Sequence, residues 1–557
     1  MIRYVFEDLS VVNKSKLSAP LSNHTPNHTL TGSFIGKVAA IFLATTLLSS
    51  CGGGSGDSAA SPTMPTTPIS NDFEPGVFQA SSVFFNQCAN PAADQVNTQT
   101  NQAYGSGTVT DENNWLRSWS NELYLWYDEI TDQNPAEFAT SDYFELMKTT
   151  AVTASGNDRD RFHFTVPTQE WLESSESGVV SGYGTQVALL ASSPPREIAI
   201  AYTEPGTPAA AEGVARGARI LTIDGEDAIN GNDVDTLNNG LFPASVGETH
   251  TFEIQDLGST TTRTVSLTSA EITTTPVQNV GTIATASGTV GYLTFNDHIR
   301  PAEDQLIAAV NQLRAANIDD LVLDVRYNGG GFLFIASQLA YMIAGNAATS
   351  GQAFETLTFN DQHPDTDPVT GDTIQALPFY NVSTNDESLP SLNLSRVYVL
   401  TGSSTCSASE SIINSLDGIG VQVIQIGATT CGKPYGFYPT DNCGTTYFSI
   451  QFRGENNAGF GDYPDGFSPF NATQPGSVRF PGCEVEDDFN AVLGDSNEAR
   501  LAAALEFRET GACPATSAVA SNLSTPEKAA KARLHANKAL NVQTPKPAWL
   551  QNRLIQR

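Results

Sequence analysis

Four apolar runs of strand length mark the second half of the chain: TVGYLTF (289–295), DDLVLDV (319–325), SRVYVLT (395–401) and VQVIQIG (421–427). Each reads as a buried strand. Helical spacing falls between several of them: Phe332 to Ile343 follows the second run, and Ile412, Ile413 and Leu416 follow the third until Gly418 supplies a stop. This alternation predicts an α/β core over residues 276–514 with its site at the strand ends.

The pattern changes twice upstream. Within 113–147, WLRSWSNELYLWYDEI and FELMKT set aromatic residues and leucines at helical spacing, predicting a small helical domain over 86–178 in which Trp115, Trp119 and Trp126 are packing residues. His163 in DRFHF reads as a packed histidine as well. From Gly182 the chain turns to short strands, GYGTQVALL, EIAIAYT, HTFEIQDL and TTRTVSLTS, which predicts a β-rich domain over 179–275.

The first 51 residues end in GKVAAIFLATTLLSSC, whose apolar run is too short for a comfortable transmembrane helix. The ending Leu48, Ser49, Ser50, Cys51 is the lipobox pattern of a bacterial lipoprotein signal, so residues 1–51 read as a signal peptide with lipidation at Cys51. Gly52 stands where an aspartate commonly retains such proteins at the inner membrane. The expected location is therefore the cell envelope, facing the periplasm, on the outer membrane. Residues 52–85 open on a Gly/Ser/Pro/Thr tract that cannot form a core and reads as a tether.

Candidate chemistry concentrates between Thr405 and Pro434. Ser407 sits where a loop becomes a helix, near the helix's positive end, and Lys433 follows 26 positions later, after the fourth apolar run. A serine hydroxyl needs a base, and a lysine serves only when burial and apolar neighbours disfavour its charged form. At the free value, roughly one lysine in 2,500 is neutral at pH 7. A second motif, DLVLDVRYNGGG (320–331), is a strand opening into Asn328, Gly329, Gly330 and Gly331, where glycines let backbone N–H groups approach a ligand. It lacks the spacing of the known phosphate loops.

Together these motifs resemble the tail-specific, or carboxyl-terminal processing, proteases of peptidase family S41. The strand-loop form DLRxNxGG is matched by Asp324, Arg326, Asn328, Gly330 and Gly331, with Val325 in place of the leucine; SASE by Ser407 to Glu410; and TxGK by Thr430 to Lys433. The resemblance implies Ser407 as nucleophile, Lys433 as general base, and the backbone N–H groups of Gly330 or Gly331 and of Ala408 as oxyanion hole. Many members carry an orienting glutamine four residues after the lysine, where this chain has Phe437; Glu410 and Asp417 are the candidates to replace it. A catalytically inactive, peptide-binding lipoprotein is the alternative reading. Residues 179–275 similarly resemble a PDZ domain through Pro205, Gly206, Pro208, Ala209, Ala210, Gly213, Gly217 and the turn Ile223 to Gly225. That implies a groove for an extended peptide, with Gly182, Tyr183 and Gly184 at its carboxylate end.

Six cysteines remain beside Cys51: Cys88, Cys406, Cys431, Cys443, Cys483 and Cys513. An even set in an exported chain suggests disulfides. If Ser407 and Lys433 meet, as the resemblance implies, then Cys406 and Cys431 beside them are expected to pair. The loop FRGENNAGFGDYPDGFSPF (452–470) is expected to be ordered near the site; its acids lack EF-hand spacing, and HExxH is absent, so neither a metal nor another cofactor is expected. Residues 515–557 form a basic tail with seven Lys/Arg against one acid, whereas residues 52–514 are near −40 formally, which makes nucleic acid an unsuitable partner and leaves proteins, peptides and the anchoring membrane.

Overall fold

The computed structural model describes residues 73–91, 95–514 and 552–553. The expected signal with Cys51, the tether up to residue 72, and the basic tail apart from 552–553 lie outside them. Among the described residues no helix is long and apolar enough to cross a membrane.

Helix α1 (Val109–Leu123) begins on a reciprocal cap: Thr108 Oγ1 accepts from the Asp111 N–H, and the Asp111 carboxylate accepts from the Thr108 N–H. Its Trp115 and Trp119 stack at 5.1 Å, beside the short α2 (Thr140–Glu145). Sequence spacing made this a domain of its own, but the structure closes its core with Tyr447, 5.2 Å from Trp115, brought from far downstream. Strand β1 (Phe164–Pro167) pairs antiparallel with Thr445–Phe448, and the disulfide Cys88–Cys443 ties the same regions together. One amphipathic helix and a few turns leave too little apolar surface to close a core alone. His163 is buried against Phe144, its Nε2 2.8 Å from the Phe144 carbonyl.

The β-rich segment contains β2 (Thr185–Ala191), β3 (Glu197–Thr203), β4 (Arg219–Ile223), α3 (Val234–Leu241), β5 (Thr249–Gln255) and β6 (Arg263–Thr268). The strands form an antiparallel sheet in the order β6-β5-β4-β3-β2, leaving β2 on an edge. Val265 and Leu267 point inward while their neighbours face out, the period of two that one buried face demands. Val179–Gly182 and Ala270–Thr273 pair with each other, so the segment leaves and rejoins the chain at one place. The Tyr183 ring is buried in this core and its hydroxyl donates to the Gly240 carbonyl at 3.0 Å.

The main sheet and the elements around it comprise β7 (Val277–Thr285), β8 (Gly288–Phe295), α4 (Ala302–Ala315), β9 (Asp320–Asp324), β10 (Gly331–Phe332), α5 (Leu333–Ala344), β11 (Ala353–Thr358), β12 (Arg396–Thr401), α6 (Ala408–Gly418), β13 (Gln422–Gly427), β14 (Tyr435–Gly436), β15 (Phe452–Glu455), β16 (Gly482–Glu484) and α7 (Ala499–Thr510), with β11, β14 and β15 in a smaller sheet of their own. The order of the main sheet is β7-β8-β9-β12-β13-β16, parallel from β8 onward. Leu321, Leu323, Val397, Val399 and Val423 face α4, α5 and α6; Val322, Tyr398, Leu400, Ile424 and Ile426 face α7. Burial on both faces explains why these strands read as continuous apolar runs. All 12 residues of α5 are buried, and its polar Ser337 and Gln338 are hydrogen-bonded, to the Pro378 carbonyl and to Glu303.

Candidate active site

The carboxyl ends of β9, β12 and β13 open into three loops that meet. The loop after β12 delivers Ser407, fully buried, at φ 62° and ψ −123°, a backbone conformation that is strained for a residue with a Cβ. Neighbouring loops hold it there. Cys406 N–H and Ser409 Oγ both donate to the Asn328 carbonyl at 3.1 Å, and Thr405 Oγ1 donates to the Val325 carbonyl at 2.8 Å. Gly330 packs directly beneath: a Cβ there would stand 2.6 Å from Ser407 Cβ and 2.9 Å from the Ala408 nitrogen, so only glycine fits.

Lys433 arrives on the loop after β13. Its side chain is fully buried, with Nζ 4.1 Å from the Phe437 ring centroid and 5.2 Å from that of Phe162. Two links bind this loop to the serine loop. Cys406 and Cys431 form a disulfide, with Cα atoms 5.1 Å apart, as expected from their places beside the two functional side chains. The second link is Glu410, one turn into α6. Its Oε2 accepts from the backbone N–H of both Ser407 and Lys433 at 2.9 Å, while Oε1 accepts from Gly432 N–H at 2.8 Å and Thr430 Oγ1 at 2.5 Å. Burial pushes the Glu410 carboxyl upward, and these donors oppose that shift.

Glu410 thus ties the serine and lysine loops together through their backbones. Asp417 does not share the role: it lies ten residues along α6, roughly 15 Å away, and is exposed. The oxyanion assignment also narrows. The Gly330 N–H donates to Asn328 Oδ1 at 2.9 Å, which removes it from the three candidates and leaves Gly331 and Ala408. The strand motif's charged residues turn out to brace the loop. Arg326 reaches Asp324, Asp487 at 2.8 Å and Glu498 at 2.7 Å, all in a buried cluster that holds its guanidinium well above its ordinary range. Arg216 of the β-rich segment donates to Asp487 at 2.7 Å and to Tyr327 Oη at 2.6 Å, so that segment touches the same loop.

Sequence reading missed His298. It is buried, its Nδ1 is 3.0 Å from Asn328 Oδ1, and its backbone exchanges hydrogen bonds with Gly330 and Phe332. No motif marks it, because its partners are brought together only by the fold. The 452–470 loop does lie against the site: Thr430 and Phe467 exchange hydrogen bonds at 2.9 and 2.8 Å. On its outer side β10 pairs in parallel with β17 (Asn552–Arg553), which also lies beside β14.

Residues 289–437 match the model of peptidase family S41. The matched stretch runs from β8 through Gly330, Ser407 and Lys433 to Phe437. Over 176 residues the chain is 32% identical to the carboxyl-terminal-processing protease of Picosynechococcus sp., covering 30% of this chain and 40% of that protein. Over 184 residues it is 28% identical to the chloroplastic C-terminal processing peptidase of Tetradesmus obliquus, covering 31% and 39%. The chain therefore spans about two fifths of the length of each of these relatives. A crystal structure from Bacteroides fragilis, described as an S41 protease, superposes with a TM-score of 0.55 at 23% identity, covering 72% of this chain and 97% of that one, and shares its fold.

Proposed function

We propose that this chain is a serine peptidase of the S41 type, with Ser407 as nucleophile and Lys433 as general base, cleaving extended segments of exported proteins. The carrying observation is the convergence on Glu410: one carboxylate oxygen holds the backbones of both residues, and a disulfide pins their neighbours. Lys433 is fully buried, with Phe162 and Phe437 against its side-chain nitrogen, on a loop tied to that of Ser407; a lysine serves as base where its surroundings disfavour the charged form.

In this mechanism the Lys433 amine takes the Ser407 Oγ proton as Oγ attacks the peptide carbonyl carbon. The oxyanion forms against the N–H groups of Gly331 and Ala408, at the amino end of α6. Lys433 then gives its proton to the departing amine. Water, deprotonated by the same lysine, releases the acyl group from Ser407 and restores the hydroxyl.

The β-rich segment is read as a PDZ-type module that recruits extended or carboxyl-terminal peptide segments. Its edge strand β2 follows directly on Gly182, Tyr183 and Gly184 and can accept an added strand. Lipidation at Cys51 would tether the enzyme to the outer membrane, facing the periplasm. Cleavage of casein, together with labelling of Ser407 by a fluorophosphonate probe, tests the reading. Absence of both in the folded protein would favour the inactive peptide-binding alternative instead.

A further inference from the structure

Beyond Phe295, where β8 ends, the chain places His298 against the glycine loop. His298 is fully buried, with its ring 4.4 Å from that of Phe295. Its backbone runs beside β10 as a parallel bridge: the His298 N–H donates to the Gly330 carbonyl at 3.1 Å, and the His298 carbonyl accepts from the Phe332 N–H at 2.8 Å. The approach is close. A Cβ on Gly331 would stand 2.5 Å from the His298 carbonyl oxygen and 2.8 Å from His298 Cβ, so the position beside His298 admits only glycine.

The ring adds a second hold. Asn328 Nδ2 donates to the Phe295 carbonyl at 2.9 Å and Asn328 Oδ1 accepts from the Gly330 N–H at 2.9 Å, so the amide can be placed only one way round. His298 Nδ1, 3.0 Å from the same Oδ1, must then carry the proton and donate. Both polar groups of Gly330 are thereby fixed by His298, the carbonyl directly and the N–H through Asn328. The Gly330–Gly331 peptide is trans, so pinning the carbonyl turns the Gly331 N–H to the opposite edge of β10, the one on which β17 pairs. Asn328 carries the hold across to the serine loop, since its own carbonyl accepts from the Cys406 N–H.

From this geometry we infer that His298 is a positioning residue for the oxyanion site: acting through Asn328 and Gly330, it aims the Gly331 N–H at the oxygen that gains charge. The inference rests on the proposed peptidase reading and adds a residue to its machinery. Charge on that oxygen develops in the transition state, so a misaimed N–H lowers kcat and leaves KM unchanged.

The test compares His298→Asn, His298→Gln and His298→Leu in the full-length protein, with kcat and KM measured on dye-quenched casein. Asparagine carries an N–H at the place of Nδ1, glutamine carries it one bond further out, at the place of Nε2, and leucine carries none. His298→Asn should keep kcat within about threefold of the wild type. His298→Gln and His298→Leu should each lose about 30-fold with KM unchanged, less than loss of an oxyanion donor itself costs. A packing role predicts the reverse order, because glutamine fills more of the ring's space than asparagine does. Equal losses in the asparagine and glutamine variants, a change confined to KM, or no change in any of the three overturns the inference and leaves the peptidase reading in place. Loss of the folded state in both amide variants, seen by circular dichroism, makes His298 a residue of the fold and overturns it too. A wild type that cleaves nothing overturns the peptidase reading, and this inference with it.

Discussion

The side-chain nitrogen of Lys433 stands 4.1 Å from the ring centroid of Phe437. Where the family resemblance leads one to expect an orienting amide, this chain has a ring that supports the amine by packing and offers it no carbonyl acceptor. The enclosing walls and Glu410's hold on its backbone both contribute to placing the lysine. Activity should rise toward alkaline pH as Lys433 loses its proton, and a flat profile from about pH 6 to 9 would count against a lysine base. Phe437→Ala should cost about 3–5 kcal/mol in urea unfolding and lower kcat, because the wall against the amine is lost.

Ser407→Ala and Lys433→Ala should each lower kcat at least about 1,000-fold while circular dichroism stays unchanged, and the double variant should be little worse than either single one. Multiplicative losses in the double variant would show that the two residues do not act as a unit.

Glu410 holds four donors from two loops, so Glu410→Gln turns an N–H donor toward backbone N–H groups. The expected result is a loss of about 3 kcal/mol or more in stability together with a large fall in kcat. Wild-type values for both would remove Glu410 from its positioning role.

The Cys406–Cys431 bridge spans 25 positions, and its removal in Cys406→Ala/Cys431→Ala should cost on the order of 3 kcal/mol. Because the bridge flanks both functional side chains, kcat should fall as well. Unchanged kcat at a lowered melting temperature would make it a staple for the fold alone.

Glu355 on β11 is buried, and burial pushes its carboxyl up to about 7. A raised folded value means that ionisation opposes folding. Its contribution is therefore intact below about pH 4.5 and is lost as pH rises through about 7, on the order of 3 kcal/mol in all. Glu355→Gln should remove that part of the slope, so its stability should gain on the wild type between pH 5 and 8. Parallel curves for the two proteins would refute this assignment.

Local pattern determined much of this protein. The four core strands appear as apolar runs because both faces of the sheet are covered, and Ser407 and Lys433 stand out because each follows a strand end that the runs themselves locate. The short strands of the β-rich segment are legible for the same reason, since turn residues and a period of two are local signals. Tertiary structure alone decided which residues far apart in the chain are joined. Tyr447 closes the core around Trp115, Glu498 receives Arg326, and His298 braces Asn328; none of these partners lies within reach of any local periodicity. The same holds for the Gly330 N–H, which a motif would assign to substrate but which the folded loop turns onto Asn328. A spacing rule records which backbone groups lie near a site, whereas which of them is already hydrogen-bonded depends on the three-dimensional path of every neighbouring loop.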